Sequence, residues 1–225
     1  TNDILFGGIY LCTDKIMVIR TYSSIAMNDA AVLSVDSPGR TCAGSRSIAV
    51  SIGNFGRNVI DSVKVRWTWN GLAQTTYNYS GTLDTFGGSG NNKVRITIGS
   101  KTLVSGKTDT LKVWTSLPNG VSDTSNYNDT LIRYIRPSFS DTITVGGSNP
   151  DYATVQAAIN DLQTYGVCAP VVVSIRPGTY NEQLKIGAIP GSDSLTHITF
   201  RSSTGDSSDV AIAFSASNSS LNHTL

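Results

Sequence analysis

The chain has 225 residues, a formal net charge of +1 and only 15% charged residues. That balance supplies no basic stripe for nucleic acid or an anionic membrane surface. No run approaches the ~18 apolar residues of a membrane span. Gly, Ser, Thr and Asn abound, a composition suited to short strands joined by tight turns.

Residues 1–27 hold Gly7-Gly8, Ile9-Tyr-Leu11 and the strand-like run Lys15–Arg20. They carry too little apolar mass for a core and are expected to be linker strands or the end of an upstream domain. Ser23–Asn28 reads as a linker. The chain opens at Thr1 with no initiator Met and no basic-then-apolar leader, so a signal peptide is expected to have been removed or to lie outside this segment.

Residues 28–136 show a strand-turn rhythm. Ala31–Val35 is followed by the turn Ser37-Pro38-Gly39, and Ile48, Val50 and Ile52 then alternate with smaller residues. After Gly53-Asn54-Phe55-Gly56, a run places Val63, Val65, Trp67 and Trp69 on one face and Lys64, Arg66, Thr68 and Asn70 on the other. Asn70-Gly71 predicts a two-residue hairpin turn. Further alternation is carried by Tyr77 and Tyr79, by Val94, Ile96 and Ile98, by Leu111 and Val113, and by Leu131 and Ile135. About seven strands spaced by turns predict an immunoglobulin-type β-sandwich, with no helix.

Residues 137–225 change character. Thr154 or Asp151 can cap a helix whose apolar positions Val155, Ala158, Ile159 and Leu162 have helical spacing, with Gly166 as its stop. Strand-sized runs follow at Val171–Ile175, at Leu184 and Ile186, at Ile198 and Phe200, and at Val210, Ile212 and Phe214. Ile198 and Phe200 lie 25 residues beyond Val173 and Ile175 (198 − 173 = 25), one plausible coil of a parallel β-helix. The expected fold class is mainly β: a sandwich over 28–136, then the capped and truncated start of a β-helix over 137–225.

Candidate chemistry is sparse. Cys12, Cys42 and Cys168 lie far apart without CxxC spacing, so at most one disulfide can form. Three buried cysteines acting as small hydrophobes is the slightly favoured expectation. His197 and His223 sit near no cysteine pair, which argues against zinc. Asn119, Asp123, Asn126, Asn128 and Asp129 form the densest oxygen cluster, a Ca²⁺ candidate without EF-hand spacing. An Asx-rich turn bonding its own backbone is the favoured reading. Trp67, Trp69, Trp114, Tyr77 and Tyr79 could form a sugar platform, yet Trp67 and Trp69 share the core face and Trp114 is expected to pack under a loop. Glu182 has no identifiable carboxylate partner for hydrolysis and is expected to satisfy backbone donors. Phe86-Gly-Gly-Ser-Gly90 reads as a flexible hairpin loop rather than a phosphate cradle, since no helix follows it.

Two resemblances sit on these residues. Ser51–Val65, Leu111-Lys-Val-Trp114 and Asn119–Asp129 resemble the CARDB family of immunoglobulin-like modules associated with cell adhesion. Thr144-Val-Gly-Gly, Asp151–Ile159 and Arg176-Pro-Gly-Thr-Tyr-Asn-Glu182 resemble the N-terminal end of pectinesterase-like right-handed β-helices. In that family a short helix caps the stack and a turn of the kind formed by Gly178, Tyr180 and Glu182 begins it. The family's catalytic aspartates come from later coils and have no equivalent before Leu225, so the resemblance implies a fold and no catalytic residue.

Together the two resemble large secreted surface proteins of Bacteroidetes. This implies an extracellular location, export by the type IX secretion machinery, and O-glycosylation at Asp-Ser/Thr sites, here Ser62, Thr110, Thr130, Thr142 and Ser194. The leading expectation is a non-catalytic structural or adhesive segment without a cofactor, calcium being the exception considered. Its partners would be neighbouring domains of the same long chain, surface glycans or other surface proteins, with neither nucleic acid nor membrane insertion. The alternatives are an accessory module plus first coils of a polysaccharide-active enzyme, and a carbohydrate-binding module.

Overall fold

The structure is a computed structural model that describes residues 26–215 and the backbone of Tyr10–Cys12 and Lys15–Met17. The expectations for residues 18–25, for the Cys12 side chain and for His223 lie outside the described residues. Strands β1 (Tyr10–Cys12) and β2 (Lys15–Met17) pair antiparallel, with Tyr10 opposite Met17.

The period-2 runs become two antiparallel sheets. One is ordered β3-β4-β8, from β3 (Ala30–Ser37), β4 (Gly44–Asn54) and β8 (Lys93–Leu103). The other centres on β5 (Ile60–Trp69), flanked by β7 (Tyr77–Leu83) on one side and by β9 (Asp109–Ser116) and then β10 (Thr130–Ile135) on the other. The short β6 (Leu72–Ala73) also pairs with β5. Ile48, Val50, Ile52, Ile96 and Ile98 of the first sheet share one core with Val63, Val65, Trp67, Leu111 and Val113 of the second. Alternation therefore places the apolar row of each strand in the shared layer and the charged row in water.

Two local details fix this packing. Asn70 and Gly71 both have positive φ (50° and 81°), as a type I′ hairpin requires, so Trp69 pairs directly with Leu72. The Trp67 ring lies over Gly99, where an added Cβ would come within 2.7 Å of the indole. The Trp67 Nε1 donates to the Thr75 carbonyl (3.1 Å), so burial leaves no polar atom of the ring unpaired.

The second core begins after Arg136 and is built on parallel strands. Strand β11 (Thr142–Val145) pairs with β12 (Val171–Ile175), and β12 with β14 (Ile198–Ser202). Beside them β13 (Gly178–Asn181) pairs in parallel with β15 (Val210–Ala213). Among the described residues β14 is paired on one side only. Val173 faces Phe200, so the step between these strands is 27 residues (200 − 173), two more than the spacing of apolar pairs predicts. No strand forms at Leu184 and Ile186; they lie in an irregular connection, with Leu184 packed partly on the core and Ile186 exposed.

Helix α1 (Val155–Tyr165) crosses from β11 to β12 and buries Val155, Ala158, Ile159 and Leu162, the four positions its spacing marks. Thr154 Oγ1 accepts from the Ala157 amide, and Gly166 (φ 70°) ends the helix. The first-turn amides of Val155 and Gln156 donate to the two oxygens of Glu182, at 2.9 and 2.7 Å. A carboxylate at this end satisfies two otherwise unpaired donors and faces the positive end of the helix dipole. Tyr180 hydroxyl donates to the Arg176 carbonyl (2.8 Å) and packs where a Cβ on Gly146 (φ 71°) would stand. Tyr180 and Glu182 thus tie α1, β11 and β13 together, with Gly178 at the start of β13.

The two cores are fastened covalently. Cys42, in the β3–β4 connection, is disulfide-bonded to Cys168, which corrects the expectation of three free thiols. Sequence separation hid a pair that the fold brings to a Cα–Cα distance of 5.5 Å. Around it the Ser138 amide donates to the Thr41 carbonyl, and Arg136 pairs with Asp161 at 3.0 Å while its guanidinium lies 4.2 Å over the Tyr165 ring.

Glu182→Ala is expected to lower stability by about 1–3 kcal/mol, because two helix-end amides lose a charged acceptor. Glu182→Gln is expected to fall in between. Urea denaturation measures both, and an unchanged midpoint for the alanine variant would contradict the capping role.

Candidate metal centre

The loop joining β9 to β10 carries the acidic and amide residues picked out in the sequence, and the fold sorts them. Asn119 (φ 52°) is a structural clasp: its Oδ1 accepts from the Asp61 amide, while its Nδ2 donates to the Val59 carbonyl and to Asn28 Oδ1. Asn126 is exposed. Neither belongs with the others, which corrects the five-residue grouping. Asp123, Asn128 and Asp129 turn inward, where they meet Asp29 at the start of β3.

Asp29 has no neighbour in sequence that signals this role, since it precedes Asp123 by 94 residues (123 − 29). Strand pairing brings it in. The Val32 amide donates to the Asn128 carbonyl, the Ala30 amide to Asp123 Oδ2 (2.8 Å), and the Thr115 hydroxyl to the Ala30 carbonyl (2.6 Å). Asn128 Nδ2 donates to Asp29 Oδ1 at 2.9 Å, and Asp123 Oδ1 accepts from the Ser125 amide in an Asx turn. An Asx turn at Asp123 thus stands beside carboxylates that converge from β3 and the β9–β10 loop.

One oxygen each from Asp29, Asp123 and Asp129 lies within 4.8 Å of the others. Asp29 is 4% exposed and Asp129 is 9% exposed. Two oxygens here, Asn128 Oδ1 and Asp129 Oδ1, are buried with no hydrogen-bond partner. The ion pairs among the described residues are Arg95–Asp36 and Arg136–Asp161, and neither reaches the cluster. Two carboxylates at such a separation repel by about 3 kcal/mol at an effective dielectric of about 20. Burial, then the charges of Asp123 and Asp29, push the Asp129 carboxyl up to about 7. Three convergent carboxylates, with the Asn128 side chain beside them, are the donor chemistry of a hard divalent cation.

The remaining candidates resolve differently. Trp67 (4% exposed) and Trp69 (8%) are core residues, and Tyr77 and Tyr79 pack partly against the same core. Trp114 is half-buried, with Lys112 Nζ 5.5 Å from its ring. Phe86 stacks on Phe55 at 5.5 Å, and Asp84 accepts from the Thr85 and Gly90 amides, which organises the glycine-rich loop. Ser62, Thr130, Thr142 and Ser194 are exposed and Thr110 is half-buried.

At the junction of the two cores lies a cleft of ≈ 320 Å³ lined by Arg136, Phe139, Asp141, Asp151, Tyr152 and Asp161, among others. Arg136, Tyr152 and Asp161 are hydrogen-bonded to one another there. Tyr152 hydroxyl donates to Asp161 Oδ2 at 2.7 Å, and burial followed by that carboxylate pushes the phenol up to about 12. Asp151 Oδ2 accepts from the Thr144 amide and hydroxyl.

In chelator, the Asp129 carboxyl facing Asp123 and Asp29 titrates near 7 in the folded chain, against about 3.9 for an unperturbed aspartate. The raised folded value means its contribution to stability is complete below about pH 4 and is lost as pH rises through 7. The metal-free chain is therefore expected to lose stability between pH 4 and 8, and Asp129→Asn to lose less. Thermal melts across that range measure this, and parallel profiles for the two proteins would contradict it.

No family model and no curated protein matches this chain. Structural neighbours include a CARDB domain. This domain, from Pyrococcus furiosus and solved in complex with di-metal ions, is 15% identical, with a TM-score of 0.40 over 52% of this chain and 94% of its own. Another, a domain described as that of a cell surface protein of Methanosarcina acetivorans, is 18% identical, with a TM-score of 0.38 over 49% and 92%. No helix among the described residues is long and apolar enough to cross a membrane.

Proposed function

We propose that this chain is a structural segment of a large extracellular surface protein, in which an immunoglobulin-like module of CARDB type is fastened to the capped base of a right-handed parallel β-helix. The role is mechanical and presentational, and non-catalytic within this segment. The supporting observation is the Cys42–Cys168 bond, which joins the two cores across 126 residues of sequence. Such bonds persist in oxidising compartments, which favours an extracellular site of action.

The same bond gives the mechanical reading its physical content. Tension applied to the two ends of the chain runs along the backbone to Cys42, across the sulfurs, and onward from Cys168. Strands β4 to β10, β11 and α1 lie off that path. A parallel stack beyond β14 suits a rod, because each coil covers the apolar edge of the one before. The acid that the β-helix resemblance brings forward, Glu182, is engaged on the helix end. This favours the structural reading over the enzyme reading. Adhesion and O-glycosylation, with Ser194 an exposed site on an irregular connection, are part of the same proposal, as is export by a type IX route.

Calorimetry of the oxidised chain is expected to give one cooperative transition spanning both cores. Reduction, or Cys42→Ser with Cys168→Ser, is expected to cost about 4–5 kcal/mol on the loop-entropy account and to separate the transition into two. Two independent transitions with the disulfide intact would sink the rigid-segment reading. So would hydrolysis of a polysaccharide by this chain alone.

A further inference from the structure

We infer that Asp29, Asp123 and Asp129, with the Asn128 amide oxygen, form a Ca²⁺ site that staples the start of β3 to the β9–β10 loop. The inference is independent of the mechanical reading, since it rests on the oxygen set alone. The cluster of acids is one observation. The second is that Asp129, nine-tenths buried, keeps an oxygen in this cluster with no hydrogen-bond partner, and that the neighbouring Asn128 Oδ1 is likewise buried and unpartnered. Buried oxygens left without donors are rare in folded proteins. A cation bound among these carboxylates supplies the missing partner, and no Lys or Arg within ion-pair distance does so among the described residues.

The donor chemistry selects among cations. The three carboxylate oxygens lie within 4.8 Å of one another, close enough to share one cation, and Mg²⁺ demands a near-ideal octahedron that Ca²⁺ does not. Three carboxylates and an amide leave further positions for water, the open coordination that Ca²⁺ tolerates and Mg²⁺ fills only with strict geometry. The ligands come from two places far apart in sequence, so occupancy ties the segment entering the two-sheet unit to the loop that ends it.

The test is calcium titration of the full oxidised chain after chelation, followed by calorimetry and by thermal melts. One site is expected, with Mg²⁺ binding at least tenfold more weakly. The melting temperature is expected to rise by about 5–10 °C at a hundredfold excess of Ca²⁺ over its dissociation constant. Asp29→Asn with Asp129→Asn is expected to weaken calcium binding at least tenfold. The same variant should melt higher than wild type in chelator, because like charges have been removed; a merely structural role for these acids predicts the reverse. No calcium-dependent heat or melting shift in the wild-type chain overturns the site, whether or not the variant folds. So does undiminished calcium binding by a folded variant.

Discussion

The architecture depends on one covalent constraint, the bond between Cys42 and Cys168. Each core is small and each is held by its own apolar layer, so neither dictates where the other sits. The disulfide does, and the groups around it follow. Ser138 bonds back to the β3–β4 connection, Arg136 closes on Asp161 and Tyr165, and Gly166 leaves room for the Arg40 side chain beside the helix end. Removing the bond leaves the Ser138–Thr41 hydrogen bond and the contacts of the largely buried Arg136.

The direction of the strands gives this a geometric consequence. Strand β3 begins at the Asp29 cluster and ends toward Cys42, and β10 begins beside Asp129 and ends at Arg136. The two-sheet unit therefore carries a polar cluster at one end and a covalent junction at the other. One end is held by the disulfide, and the other gathers carboxylates whose burial and mutual repulsion push the Asp129 carboxyl up to about 7.

Much of this was legible in the residues. Alternation of Val63, Val65, Trp67 and Trp69 specifies a half-buried strand, and Asn70-Gly71 specifies its turn, because both signals arise within a few residues of the structure they control. Helix α1 was readable for the same reason: its cap, apolar face and stop are local. What failed was non-local. The Cys42–Cys168 pair and the approach of Asp29 to Asp129 depend on how sheets and connections fold over one another, and no short window contains that information. The two-residue error in the Val173–Phe200 register has a similar origin. The irregular connection around Leu184 and Ile186 is apolar enough to suggest a strand, yet it packs one residue on the core and leaves the other in solvent.

Tension is expected to cross this chain through the sulfurs and to bypass the residues between them. Pulling single molecules by their two ends, oxidised and then reduced, tests it directly. The oxidised chain should extend without releasing the 126-residue span between Cys42 and Cys168, and reduction should add about 430 Å of contour length. Equal contour lengths in the two redox states would contradict it.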